Sequence, residues 1–285
     1  MHTKPGKQYY FTLKGVFKRL REEYHYYTKR PWSLSEVGAF WDTVEDYDEV
    51  NEQLYTYYRR FTNSYQLIRP YLRKDKYNYL DIQARSGKGS LFWHQKGKLE
   101  KAVCVDFSEY LASLADHRLQ HTGLSYQSLL VTDLPLPFED KSFDFVGFYE
   151  TIEHVYDYKS FTKELSRVLA DDGLMILTCP NVLWEWVHWL TAIININHSE
   201  GPHRFLRRRV LLKTIKLANL KIIKENSTIL LPFNNKISIA INEKLEKMLP
   251  EWIKRQFALR RTFILTKPLN YENMVKANDK SVETS

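Results

Sequence analysis

Four acidic side chains stand where apolar runs end. Asp81 falls at the end of "YNYLDI", Asp106 in "KAVCVDF", Asp133 in "SLLVTDL", and Glu150 just after "FDFVGFY". A carboxylate at a strand end can accept both hydroxyls of a ribose, and Asp106, 25 positions after Asp81, suits that role. Asp133 can accept from the exocyclic amine of adenine. Between them runs "QARSGKGS", a turn loosened by Gly87 and Gly89. It is not a phosphate loop, because the spacing Gly, four residues, Gly-Lys-Ser/Thr is missing, and the dinucleotide pattern GxGxxG is also absent. These residues point to a nucleoside ligand held without a phosphate or metal. His154 and His203 offer imidazoles near neutral pKa, with Glu150 and Glu153 as carboxylate alternatives, if an acceptor must lose a proton.

The elements that position these groups follow from the pattern between them. From residue 77 onward, short β-rich runs alternate with helical stretches such as "SEYLASLADHRL" and "YKSFTKELSRVL". Two further β-rich runs, "LKIIKENSTIL" and "RTFILTKP", bring the candidates to seven. Strands apolar throughout and separated by helices predict a doubly wound, mostly parallel sheet covered on both faces. Ligands of such sheets sit beyond the carboxyl ends of the strands, at the topological switch point. Residues 1–75 differ: 13 of the 19 tyrosines lie in the first 80 positions. Phe61, Tyr65, Ile68 and Leu72 recur at helical spacing, which predicts a tyrosine-rich helical cap. The domain reading is a cap over 1–75, a main domain over 76–270 with insertions at 182–205 and 231–260, and a polar tail over 271–285.

Composition narrows the class. At 285 residues and 44% hydrophobic, the chain can bury one large α/β core. The two cysteines, Cys104 and Cys179, lie in apolar runs without CxxC spacing, which argues against a disulfide framework and against zinc. A cytoplasmic setting is expected, with neither a signal peptide nor a spanning helix. The net charge of +8 equals the eight Lys and Arg between positions 201 and 224, a stretch without an acid. A balanced body with one basic element argues against a nucleic-acid partner. Aromatic Trp184, Trp186 and Trp189 precede that element with His188. This arrangement suits an aromatic, isoprenoid or acidic small-molecule acceptor, or peripheral contact with a membrane. The insertion at 231–260 offers pocket closure or a homodimer contact.

The stretch "VTDLPLPFEDKSFDFVGFYETIEHVYDYKSFTKELSRVLADDGLMILTCPN" resembles class I S-adenosylmethionine-dependent methyltransferases, closest to the branch with ubiquinone and menaquinone methyltransferases. The resemblance implies a Rossmann-like methyltransferase fold with strand order 3-2-1-4-5-7-6, strand seven antiparallel. It implies S-adenosylmethionine as cofactor, with Asp106 on the ribose and Asp133 beside Leu134 on the adenine. Phe107 would pack on the base, Gly87 would let the backbone approach, and Glu150 would lie near the methionine part. Asp81 would order the loop.

One departure stands out. The family pattern Asp-x-Gly-x-Gly-x-Gly here reads Asp81-Ile82-Gln83-Ala84-Arg85-Ser86-Gly87, so Gln83 and Arg85 replace two glycines. Glycine serves there because a Cβ crowds the ligand or the turn needs positive φ. Arg85 can pair with the cofactor carboxylate or fill the slot. Two alternatives to a small-molecule methyltransferase follow: a catalytically inactive partner subunit with the same fold, and an RNA methyltransferase using the basic run.

Overall fold

The computed structural model describes residues 13–52, 54–194 and 199–274. Seven strands form one sheet in the order β3-β2-β1-β4-β5-β7-β6. They are β1 (Tyr77–Ile82), β2 (Leu99–Asp106), β3 (Ser125–Leu130), β4 (Phe143–Tyr149), β5 (Leu169–Pro180), β6 (Lys221–Thr228) and β7 (Arg260–Thr266). The first five pair in parallel, and β7 runs antiparallel to both β5 and β6. The order reverses between β1 and β4, so the switch point lies at the ends of Ile82 and Tyr149. Strand three ends at Leu130, so Asp133 sits in the loop beyond it rather than on the strand end.

Among the described residues, four α-helices precede the sheet: α1 (Leu13–Thr28), α2 (Leu34–Trp41), α3 (Tyr47–Glu52) and α4 (Tyr55–Ile68). The sheet's own helices are α5 (Lys88–Gln95), α6 (Glu109–Leu119), α7 (Tyr158–Val168), α8 (Glu185–Ile193) and α9 (Arg208–Leu217). The insertion before β7 forms α10 (Lys236–Met248) and α11 (Glu251–Phe257). Local signals explain several starts. Ser33 and Glu36 form a capping box on α2. Ser108 accepts from the Leu111 amide to start α6, and Asp157 from the Ser160 amide to start α7.

The core is largely aromatic. Tyr79, Trp93, Phe145, Phe148 and Phe161 are fully buried, with Trp93 edge-on to Phe145 at 4.7 Å. The cap shares this core. Phe61 of α4 stacks on Phe92, and Tyr65 packs against Trp93 at 5.8 Å. Asp48 of α3 holds the Lys88 ammonium at 2.8 Å and the Ser86 hydroxyl at 2.6 Å. The Asp48 contacts place α3 over the turn that follows β1. At the other end, residues 268–274 are helical and Met274 is buried, so the first positions expected as tail pack on the core. Residues 275–285 lie outside the described residues.

Candidate active site

The site begins with the turn after β1. Gln83 and Arg85 both have positive φ, 51° and 54°, as does Gly87 at 73°. The backbone therefore keeps the left-handed geometry that glycine adopts freely, at a cost of order 1–3 kcal/mol for each side chain forced into it. What these side chains do differs. The Gln83 amide is buried, and neither its oxygen nor its nitrogen has a partner among the described residues. Arg85 crosses the switch point. Its guanidinium donates to the Tyr47 hydroxyl at 2.9 Å and to the Glu150 carbonyl at 2.7 Å, and lies over the Trp41 ring at 5.1 Å. Burial works against its charge, but the Tyr47 hydroxyl and Glu200 nearby hold it in the cationic form.

Asp106 is 1% exposed. Its carboxylate accepts three backbone N–H groups, from Arg85 at 2.6 Å, Phe107 at 2.8 Å and Ser108 at 3.0 Å. Burial pushes its pKa up to about 6, and those amides pull against the rise. Phe107 is buried edge-on to Phe161, and its carbonyl lies beneath Gly38 of α2. A Cβ at Gly38 would stand 1.8 Å from that oxygen, so the helix approaches as closely as the chain permits. Asp42, following α2, accepts from the Ser108 hydroxyl at 2.6 Å and the Tyr110 amide at 3.1 Å. Asp81 accepts from the Ser90 hydroxyl at 2.8 Å and the Tyr79 hydroxyl at 3.2 Å, which ties the strand end to α5. Burial raises its pKa to about 6 as well.

A polar cavity of about 90 Å³ remains beside Arg85. Tyr47, Arg60, Glu150, Glu153 and Arg260 are among its walls. Arg260 donates to the Glu150 carboxylate at 3.0 Å. Burial tends to raise the Glu150 pKa, but Arg260 and Arg60 outweigh it and hold this carboxylate below its usual range. Glu153 has the opposite fate: burial, then the nearby Glu150 charge, lift it well above the ordinary carboxylate value. The two carboxyl groups are thus pushed in opposite directions, Glu150 toward the ionised form and Glu153 toward the protonated one. His154 is fully buried, its backbone carbonyl accepts from the Trp32 indole at 2.7 Å, and burial lowers its pKa to about 3. Its imidazole is neutral throughout the physiological range. His203 lies 6.2 Å from it, ring to ring, also lowered by burial.

Of the residues singled out in sequence, the structure gathers Arg85, Glu150, Glu153 and His188 around one cavity. Asp81, Gln83, Asp106 and Phe107 are buried outside its lining, as is His154, and His203 borders a different cavity. Asp133 and Leu134 line a separate groove of about 620 Å³, together with Trp32, Leu34, Tyr156 and Phe161. Sequence reasoning missed Trp41, Tyr47, Arg60 and Arg260. Arg260 was within reach of it: an antiparallel last strand begins at the carboxyl edge, so its first residue must stand at the site. Among the described residues, no three His, Cys, Asp or Glu side chains converge as a metal site.

This strand order, with its site at the β1–β4 edge, defines the fold of class I S-adenosylmethionine-dependent methyltransferases. Residues 80–177 match the methyltransferase domain family. A probable S-adenosylmethionine-dependent methyltransferase of Mycobacterium tuberculosis is 32% identical over 81 residues, 28% of this chain and 28% of the relative. A demethylmenaquinone methyltransferase of Bacillus cereus is 35% identical over 81 residues, 28% of this chain and 34% of the relative. The match thus spans about a third or less of these relatives' length. Among solved structures, the cyclase SpnF aligns over 83% of this chain and 97% of its own, with a TM-score of 0.61 and 14% identity. An S-adenosylmethionine-dependent methyltransferase from Clostridium acetobutylicum aligns over 80% of this chain and 99% of its own, with a TM-score of 0.54 and 12% identity. At such identities the structural likeness establishes the fold alone.

The side chains as arranged do not fit the cofactor of that class. A ligand of that size needs a pocket of roughly 300–1,000 Å³, and the cavity at the switch point holds about 90 Å³. Helix α2 covers Phe107, and the Arg85 guanidinium bridges the crevice.

Proposed function

We propose that this chain is an S-adenosylmethionine-dependent methyltransferase acting on a small-molecule acceptor, and that the arrangement described is its closed form. The observation that carries the proposal is the matched segment itself. Residues 80–177 supply the turn, the strand-end acids and the switch point, and Gln83 and Arg85 keep the glycine backbone of that turn. The Bacillus cereus relative's name, demethylmenaquinone methyltransferase, supports a small-molecule acceptor over a macromolecule.

Opening requires two movements: Arg85 must release Tyr47 and the Glu150 carbonyl, and α2–α3 must lift from Phe107 and Ser108. The closed form is not free of cost. The buried, unpartnered Gln83 amide alone costs about 1–3 kcal/mol, which an opened crevice would return by admitting water or ligand.

The same closure favours one second reading, a methyltransferase fold that serves as a non-catalytic subunit. Isothermal calorimetry with S-adenosylhomocysteine separates the two. The enzyme reading expects saturable one-to-one binding. Folded protein that shows no heat up to millimolar ligand, as wild type and as Arg85→Gly, leaves only the non-catalytic reading.

A further inference from the structure

One face of the molecule is apolar, exposed and bordered by positive charge. Leu13, Phe17, Leu20, Tyr24 and Tyr27 follow one another along α1 at steps of three and four, so they form a single stripe. They point to solvent: Phe17 is 67% exposed. The buried side of α1 faces α8 instead, where the Arg19 guanidinium donates to the Ile193 carbonyl at 2.7 Å. Helix α8 extends the stripe with Leu190 and with Trp186, 64% exposed. Tyr27 meets Trp189 at 5.9 Å, which makes the two helices one surface.

The borders of the stripe decide what it fits. Lys14, Lys18 and Arg21 are exposed about one quarter-turn away. The acids of α1 offset Lys18 alone, which leaves Lys14 and Arg21 as the cationic flank. Glu22 lies 3.8 Å from Lys18, on the side away from the stripe, and Glu23 is buried. An apolar row with Tyr and Trp at its rim and a cationic flank is the pattern of a helix lying in a lipid interface, where ring bodies enter and polar tips stay wet. Basic groups there gain from an anionic surface potential. No described helix is long and apolar enough to cross a membrane, so the contact is one of lying on the surface.

We propose that the α1–α8 face docks this protein on an anionic lipid bilayer, so that its acceptor is a lipid-soluble molecule. The second clause rests on the methyltransferase reading and on a cavity of about 320 Å³ that opens on this face. Tyr27, Trp186 and Trp189 wall it on the surface side, and His203 and Glu185 border it. His203 contacts Phe205 at 5.4 Å, Phe205 contacts His188 at 5.0 Å, and both Phe205 and His188 border the central cavity. The apolar pocket therefore leads from the lipid face toward the switch point through one layer of side chains.

The test is co-sedimentation of the full chain with extruded vesicles, without cofactor. The vesicles are pure phosphatidylcholine or phosphatidylcholine with 30% phosphatidylglycerol. The protein is expected to partition at least tenfold more onto the anionic vesicles, and to lose most of that preference in 0.5 M salt. The exposed pair Phe17→Glu and Leu20→Glu is expected to lower partitioning at least tenfold, with circular dichroism and S-adenosylhomocysteine affinity unchanged. Partitioning that ignores lipid charge, or a double variant that binds like wild type, would overturn the proposal. So would light scattering that finds a dimer which the double variant dissolves, with no vesicle binding, since a second copy would then cover this face. Because vesicle binding is read without cofactor, a failure of the enzyme reading leaves the docking result standing, and the reverse.

Discussion

Replacing Arg85 by glycine separates the two roles that an arginine at this turn can have. In the structure the guanidinium makes two hydrogen bonds, to the Tyr47 hydroxyl at 2.9 Å and the Glu150 carbonyl at 2.7 Å. Hydrogen bonds to a charged group contribute about 1.5–3 kcal/mol each. Taking the lower value for both, the crevice is held shut by roughly 3 kcal/mol from this side chain alone. A ligand that must open the crevice loses that amount, which corresponds to about a 100-fold weaker apparent affinity. Arg85→Gly removes the bridge and suits the φ of 54° without strain. The Tyr47 hydroxyl and Glu150 carbonyl it leaves behind border a cavity large enough to admit water. S-adenosylhomocysteine affinity, measured by calorimetry on wild type and Arg85→Gly at one pH and salt, should therefore rise by about 100-fold. If Arg85 instead clamps the ligand's carboxylate, the variant binds more weakly. Equal or weaker binding by Arg85→Gly refutes the plug.

Three further outcomes follow from the same geometry. Asp106→Ala leaves three buried N–H groups without an acceptor and should lower stability by about 3 kcal/mol or more, whereas Asp106→Asn, which keeps an oxygen for the Phe107 and Ser108 amides but turns an NH2 on the Arg85 amide, should lose less, about 1–2 kcal/mol in urea unfolding. Equal losses in both variants would refute the account of that carboxylate. Gly38→Ala drives a methyl into the Phe107 carbonyl and should cost about 1–3 kcal/mol, with faster hydrogen exchange in α2 and unchanged protection in β1 and β4. Wild-type exchange in α2 would contradict the tight approach. His154 should show no titration between pH 5 and 8 by NMR, since its folded pKa of about 3 lies below the unfolded value of about 6.5. The unfolded chain then takes up a proton first, so stability is lost as pH falls from 6.5 toward 3, by about 2 kcal/mol at pH 5. His154→Gln should remove that share of the acid sensitivity, and an unchanged pH profile would refute it.

The sheet was legible because its central strands β1, β2, β4 and β5 carry apolar runs closed by an acid or a turn. All seven appear, with β1 and β4 at the expected residues. Asp133 was misplaced by three residues because "LLVTDL" stays β-rich past the last ladder pair at Leu130. The closure over the site was not legible. A helix with aromatic residues at three- and four-residue steps reads the same whether it pads a core or covers a crevice, so Trp41 and Tyr47 carried no distinguishing mark. Gly38 was the available signal, since a glycine inside the short helix "LSEVGAFW" marks a close backbone approach. The sequence posed two fates for Arg85, clamp or plug. The contact with Tyr47, 38 residues earlier, supports the plug, and no local signal in the sequence announces it.

A crystal structure grown with S-adenosylhomocysteine tests the central claim most directly. The account predicts the ligand at the β1–β4 edge, with its ribose on Asp106, Arg85 swung off the Glu150 carbonyl, and α2–α3 displaced from Phe107. Crystals at saturating ligand that retain the Arg85–Glu150 bridge and the Gly38–Phe107 contact, with no ligand at that edge, would contradict it.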